Sequence, residues 1–237
     1  MSMSAMRTTI ERVLSFGMSM PLERDHWEKA PLVSGILLYG TPSQVSSVQR
    51  WMDRSIETQN SNGSLNYSDR QVYGEGHIKI LNSTPTLSAV LAYRLLDFYD
   101  RTQHPRYLEA CARMVAGLAE TPRCGNGGFW NAYEGAELHV DIVYMVSPFL
   151  IRYGVTTGQE QWIDEGIRQL DAHIEVLYHE KKNVCRHTWK ETPDSFPQSQ
   201  FWSRGNAWLF CALLESLEWL PRNHAAYARL AALLDAN

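Results

Sequence analysis

Residues 127–154 read GGFWNAYEGAELHVDIVYMVSPFLIRYG, and the rest of the chain is interpreted outward from them. The stretch opens as an aromatic, glycine-rich loop and closes as an apolar helix, with Asp141 at the change. Tyr144, Met145 and Pro148 follow Asp141 at i+3, i+4 and i+7, so all four share one helical face. A carboxylate on the apolar face of a mostly buried helix is costly unless it is paired or used. Asp141 is therefore the first candidate for a catalytic group.

On either side the pattern is helical, and no series of alternating strands is expected. A first helix covers about Ala5 to Ser19, and a second opens at His26-Trp27-Glu28 and runs to Tyr39. A turn at Gly40-Thr41-Pro42-Ser43 feeds a third, which carries Val45, Val48, Trp51, Met52 and Ile56. A fourth starts near Ser83, with Asn82 or Ser83 as its N-cap, and a fifth follows the turn Arg101 to Pro105. After the Asp141 helix, Thr156-Thr157-Gly158 turns into a seventh. An eighth runs from near Ser203 to Leu220, and a last one reaches the C-terminus.

The helices pair in a weak repeat. Phe98 and Tyr107 are nine apart across their turn, as are Tyr153 and Trp162, and the two pairs are offset by 55 residues. Long loops, about 59–81, 121–137 and 180–202, separate the hairpins, so short turns belong at one end of the molecule and long loops at the other. The helices starting near Trp27, Ser83, Leu138 and Ser203 all begin at the long-loop end. They are the more apolar set and are expected inside, with their N-termini converging on one pocket that suits an anion.

The 237 residues, 44% of them apolar, suffice for one core in one domain spanning 1–237. A net charge of -4 with both signs interspersed lacks the basic stripe that nucleic acid requires. Cys111, Cys124, Cys185 and Cys211 form no CxxC pair, so neither a metal site nor a disulfide framework is signalled. No apolar run is long enough for a membrane span, and Arg7 and Glu11 interrupt any secretory h-region. A reducing cytoplasmic setting is the expectation.

Candidate polar groups recur at the long-loop end: Trp27, Asn82, Asn131, His139, Asp141, His187 within CRHTW, and Trp202, Arg204 and Trp208 within FWSRGNAW. Each alone has an ordinary explanation, such as an N-cap, a dipole partner, a loop histidine or a core tryptophan. Their shared end is what selects them.

WEKAPLVSGILLYG, LNSTPTL, YDRTQHPRYLEAC, GGFWN, HVDIVYMVSPFL and FWSRGNAW resemble, in this order, glycoside hydrolase family 105. Its members are unsaturated rhamnogalacturonyl hydrolases, related to the family 88 unsaturated glucuronyl hydrolases. The resemblance implies an all-α, (α/α)6 six-hairpin barrel. That ring uses twelve helices where the sequence supplies about nine, so an incomplete barrel from a truncated protein or partial gene product is expected, with self-association through its open edge as the secondary reading.

The resemblance also implies an oligosaccharide substrate and hydrolysis without metal or cofactor. An aspartate protonates C4 of a C4=C5 double bond and helps water add at C5. By motif, Asp141 is that aspartate, Arg204 and Trp208 bind substrate, and His187 contacts the sugar. Many relatives carry tryptophan near His139 and histidine near Asn131, both lining the site, and a second acid near Asn82. These departures leave a second reading, a non-catalytic saccharide-binding remnant. In both readings Arg204 suits a uronate carboxylate through its planar fork, and Trp208, one turn further on, suits the sugar ring.

Overall fold

The computed structural model describes residues 3–20, 27, 29–65, 84–131 and 135–236. Among these, the helices are α1 (Met3–Ser19), α2 (Lys29–Tyr39), α3 (Pro42–Glu57), α4 (Pro85–Thr102), α5 (Pro105–Ala119), α6 (Val140–Thr157), α7 (Glu160–Leu177), α8 (Ser203–Trp219) and α9 (Tyr227–Ala236). None of them is long and apolar enough to cross a membrane. All four cysteines are free.

Local chemistry sets the helix ends. Thr41 and Gln44 form a reciprocal capping box at the start of α3, so two N–H groups without helical partners are satisfied there. Pro85 and Pro105 each occupy the first turn of their helix, where a missing N–H costs nothing. Gly158 closes α6 in the left-handed conformation (φ 67°), and its N–H bonds back to the Gly154 and Val155 carbonyls. Two expected boundaries move. The second helix begins at Lys29, with Trp27 in the turn before it, where the Trp27 carbonyl accepts from the Ala30 N–H. The N-cap of α4 is Thr84; Asn82 and Ser83 lie outside the described residues.

Packing separates an inner from an outer set. The inner helices α2, α4, α6 and α8 touch in series, and α5, α7 and α9 each return against the inner helix before them. From Ile142 to Gly154, α6 is buried without a break, whereas α7 buries one face. Full burial of side chains such as Phe149, Leu150 and Ile151 stabilises by roughly 1.5–3 kcal/mol each. α8 buries Leu209, Ala212 and Leu213 but leaves Phe210 and Leu214 about half exposed (44% and 51%).

At their C-terminal ends the inner helices are tied by charge. Arg152 on α6 pairs with Asp97 (2.6 Å) and Asp100 (2.7 Å) on α4. Arg94 reaches Asp97 (3.1 Å) and Glu215 on α8 (3.0 Å). Tyr144 donates its hydroxyl to Glu215 at 3.3 Å. Burial pushes the Glu215 carboxyl above its usual range, and Arg94 opposes that shift. A cavity of about 450 Å³ at this end is lined by Arg94, Asp97, Asp100, Arg152 and Glu215, which already pair with one another.

The long loops hold strands that were not expected. β1 (Glu137–His139), β4 (Thr188–Lys190) and β5 (Ser195–Gln198) form an antiparallel sheet in the order β1-β4-β5, and β2 (Tyr178–His179) pairs with β3 (Val184–Cys185). Strands of two to four residues are too short to display a period of two, which is why they are silent in the sequence. The glycine-rich loop is pinned to α7: the Phe129 N–H donates to Gln169 Oε1 at 2.8 Å, and Gln169 Nε2 donates to the Gly127 carbonyl at 3.0 Å.

Two predictions follow from this packing. A Cβ at Gly166 on α7 would lie 2.8 Å from the Ser147 carbonyl oxygen and 2.7 Å from Ile151 Cγ1 on α6. Mid-helix Gly→Ala normally gains up to about 1 kcal/mol; here Gly166→Ala should instead destabilise by about 1–3 kcal/mol in urea unfolding. His173, buried on the same helix, donates Nδ1–H to the Gln169 carbonyl at 2.8 Å, and burial lowers its pKa to about 4. The folded protein therefore keeps this imidazole neutral, while the unfolded chain protonates near the ordinary value. Its stabilisation is complete above about pH 6.5 and is lost as pH falls toward 4, on the order of 3 kcal/mol. Unfolding of wild type and His173→Gln at pH 7 and pH 4.5 should show the wild type losing more.

Candidate active site

Asp141 stands in the first turn of α6, and its carboxylate is partly buried (19% exposed). The backbone before it runs as β1 and pairs with β4 in the register Glu137↔Lys190, Leu138↔Trp189 and His139↔Thr188. One step further the Val140 N–H donates to the His187 carbonyl at 3.0 Å. That ladder delivers His187, from a loop 46 residues downstream, to the head of α6. His187 Nε2 lies 3.4 Å from Asp141 Oδ2.

Behind this pair is a second, more buried group. His139 is the N-cap residue of α6, and its ring meets the His187 ring edge-on at 5.5 Å. Asn131 Nδ2 is 2.8 Å from His139 Nδ1, and Glu137 Oε2 is 3.3 Å from His139 Nε2. Glu137 is only 2% exposed and also pairs with Lys190 at 3.5 Å. With the Asn131 amide donating to Nδ1, the Nε2 position carries the proton given to Glu137. Asn131, 3% exposed, faces His139 rather than open space.

Aromatic rings frame the opening. Trp202 packs on His187 at 4.6 Å, and the Arg204 guanidinium lies 4.3 Å over Trp202 and 6.0 Å from the Trp27 ring. Trp27 meets Trp208 edge-on at 6.1 Å, and Trp208 stacks on Tyr144 at 4.8 Å. Among the described residues no carboxylate pairs with Arg204, and a guanidinium fork is a geometry that suits an anion. The buried Trp208 indole N–H likewise has no acceptor among them.

Of the residues selected from the sequence, Trp27, Asn131, His139, Asp141, His187, Trp202, Arg204 and Trp208 thus form one connected set, while Asn82 lies outside the described residues. Glu137 and Lys190 were not selected. Their signal was the i, i+2 spacing of Glu137 and His139, legible only to a reader who already has β1 as a strand. The charged cavity near Arg94 and Arg152 lies at the other end of the inner helices, 11 residues along α6 from Asp141, or about 16 Å.

The family model described as Glycosyl Hydrolase Family 88 matches residues 4–237. The chain belongs to glycosyl hydrolase family 88. This family 88 chain is 25% identical, over 144 residues, to the unsaturated rhamnogalacturonyl hydrolase YesR of Bacillus subtilis; the match covers 58% of the chain and 42% of that protein. It superposes on a family 105 glycoside hydrolase of C. acetobutylicum with a TM-score of 0.76, at 18% identity over 96% of the chain and 63% of that structure. A possible family 105 member from Klebsiella pneumoniae gives 0.75, at 18% identity over 100% of the chain and 65% of that structure. These likenesses establish the (α/α)6 hairpin fold expected from the sequence. The family 88 chain spans about two thirds of those structures, and its match spans less than half of the Bacillus protein.

The site offers one partly exposed carboxylate, an imidazole against it, a guanidinium with no carboxylate partner among the described residues, and three indole faces. His139, Asp141 and His187 are also a possible set of metal ligands, since one donor atom from each lies within 4.8 Å of the others. The sequence carried no such signal, because His187 is brought to His139 and Asp141 by the β1–β4 ladder.

Proposed function

We propose that this family 88 chain removes a Δ4,5-unsaturated uronic acid from short saccharides by hydrating the C4=C5 double bond, with Asp141 as acid and base. The observation that carries the reading is the facing of Asp141 and Arg204. A partly buried carboxylate at the head of one inner helix lies across His187 and Trp202 from a guanidinium at the head of the next that no carboxylate among the described residues pairs. An unsaturated uronate needs a proton donor near C4 and a cation for its carboxylate, and these two groups supply both.

In this reading Arg204 holds the uronate carboxylate while Trp208 and Trp27 border the ring. Protonated Asp141 gives its proton to C4, and the enol-ether electrons move so that positive charge develops at C5 and the ring oxygen. Water adds at C5 and returns a proton to Asp141, so one water is consumed and the acid is restored. The C5 hemiketal then opens by releasing the ring oxygen to C1. The resulting C1 hemiacetal collapses to an aldehyde and frees the remaining saccharide as an alcohol. His187, 3.4 Å from Asp141, is placed to orient the carboxyl or the water. The Bacillus relative, an unsaturated rhamnogalacturonyl hydrolase, supports a rhamnogalacturonan-derived, hence pectin-derived, substrate. A single carboxylate in this role differs from the paired carboxylates of ordinary glycosidases.

The double bond absorbs in the ultraviolet and disappears on hydration. Wild type mixed with unsaturated rhamnogalacturonan disaccharide should lose that absorbance, and Asp141→Asn should lower the rate by about 10²–10⁴-fold. Equal loss with both proteins removes Asp141 from the mechanism, and no loss with folded wild type leaves saccharide binding alone. Arg204→Lys keeps the charge but loses the fork; KM should rise about tenfold, the cost of one charge-assisted hydrogen bond. An unchanged KM would detach Arg204 from the uronate.

A further inference from the structure

We propose that His139, Asp141 and His187 form a binding site for a divalent transition-metal ion, zinc fitting best, and that the bound ion holds Asp141 out of proton transfer. The second half rests on the hydration reading above; the first half does not.

The donor set is the starting point. Each of the three residues presents one ligand atom, and all three atoms lie within 4.8 Å of one another. Two imidazoles and one carboxylate make up a known zinc-binding set, whereas magnesium and calcium take oxygen ligands. His187 Nε2 and Asp141 Oδ2 are 3.4 Å apart. Two ligands on a tetrahedral ion with bonds of about 2.0–2.2 Å stand about 3.3–3.5 Å apart, so this edge is already at its bound length.

The surroundings are those of an oriented metal ligand. Glu137, nearly fully buried, sits 3.3 Å from His139 Nε2. A carboxylate on the far N–H of a ligating imidazole fixes its tautomer and raises its basicity. Trp202 holds the plane of His187 from the other side. Both His139 nitrogens have partners in the metal-free protein, so the ion must displace one; displacing the Asn131 amide at 2.8 Å preserves the Glu137 contact. The α6 N-terminus and Arg204 oppose a cation, but the helix end carries only about half a charge, Arg204 packs on Trp202, and Asp141 supplies a full negative charge in direct contact. The three side chains are 12–19% exposed, which leaves a coordination position for water.

A carboxylate that donates its lone pair to a metal ion cannot carry the proton that C4 requires. Metal occupancy and turnover therefore exclude each other at Asp141.

The test uses the full chain, stripped of metal with chelator and dialysed. Zinc chloride titrated by calorimetry should bind one equivalent. His139→Asn and His187→Asn, each checked for an unchanged thermal midpoint, should each weaken binding at least tenfold. Glu137→Gln should weaken it about 10–100-fold. Cobalt(II) in wild type should give the intense visible bands of a four-coordinate site, and zinc should displace them; this readout needs no variant. Undiminished affinity in both histidine variants, or no cobalt bands, overturns the site. In the absorbance assay, saturating zinc should abolish hydration and chelator should restore it. Full turnover with zinc bound would overturn the exclusion. If the saccharide is never turned over, the hydration reading fails and the binding arm still decides the site.

Discussion

Three residue pairs of antiparallel ladder, Glu137 to His139 on β1 against Thr188 to Lys190 on β4, hold the candidate site of this protein together. They precede α6 directly, so the strand and the helix that carries Asp141 share one rigid backbone. The next hydrogen bond, Val140 N–H to the His187 carbonyl, fixes the distance between two loops that are otherwise far apart in sequence. Every contact around Asp141 descends from that pairing: His187 against the carboxylate, Trp202 against His187, and Arg204 against Trp202. Register matters because a slip by one residue would turn Glu137 and His139 to the opposite face.

The two ends of the inner helices are built on opposite principles. At the C-terminal end, Arg94, Arg152, Asp97, Asp100 and Glu215 satisfy one another across α4, α6 and α8, so charge there is consumed in holding the helices in place. At the N-terminal end, Arg204 has no carboxylate partner among the described residues, and Asp141 meets only an imidazole. Charge with no carboxylate partner among the described residues, in a partly buried setting, is what fits that end to the proposed chemistry. Tyr144 connects the two: its ring carries Trp208 and its hydroxyl reaches Glu215.

A single carboxylate at the centre gives the site a simple logic. In the roles proposed for it, Asp141 holds a proton or a metal ion, not both, and His139 is the residue that makes the second choice available. Glu137 and Asn131 grip that imidazole from its two nitrogens, so the balance between them sets whether His139 offers a lone pair to the site.

The sequence by itself determined the helices, their hairpin pairing and the end of the molecule where the candidate residues gather. Apolar residues at a helical period over 15 or more positions leave one consistent answer, and Pro85, Pro105 and Gly158 mark the boundaries. Asp141 was legible for the same reason, as a charge where the period demands an apolar or capping residue. The sheet was not, because strands of two to four residues carry no periodic signal and become stable only when a distant partner supplies their hydrogen bonds. Glu137 and Lys190 were hidden with it, and so was the meeting of His139, Asp141 and His187. Periodicity is local and can be read along the chain; strand register is a contact between segments and exists only once the chain has folded.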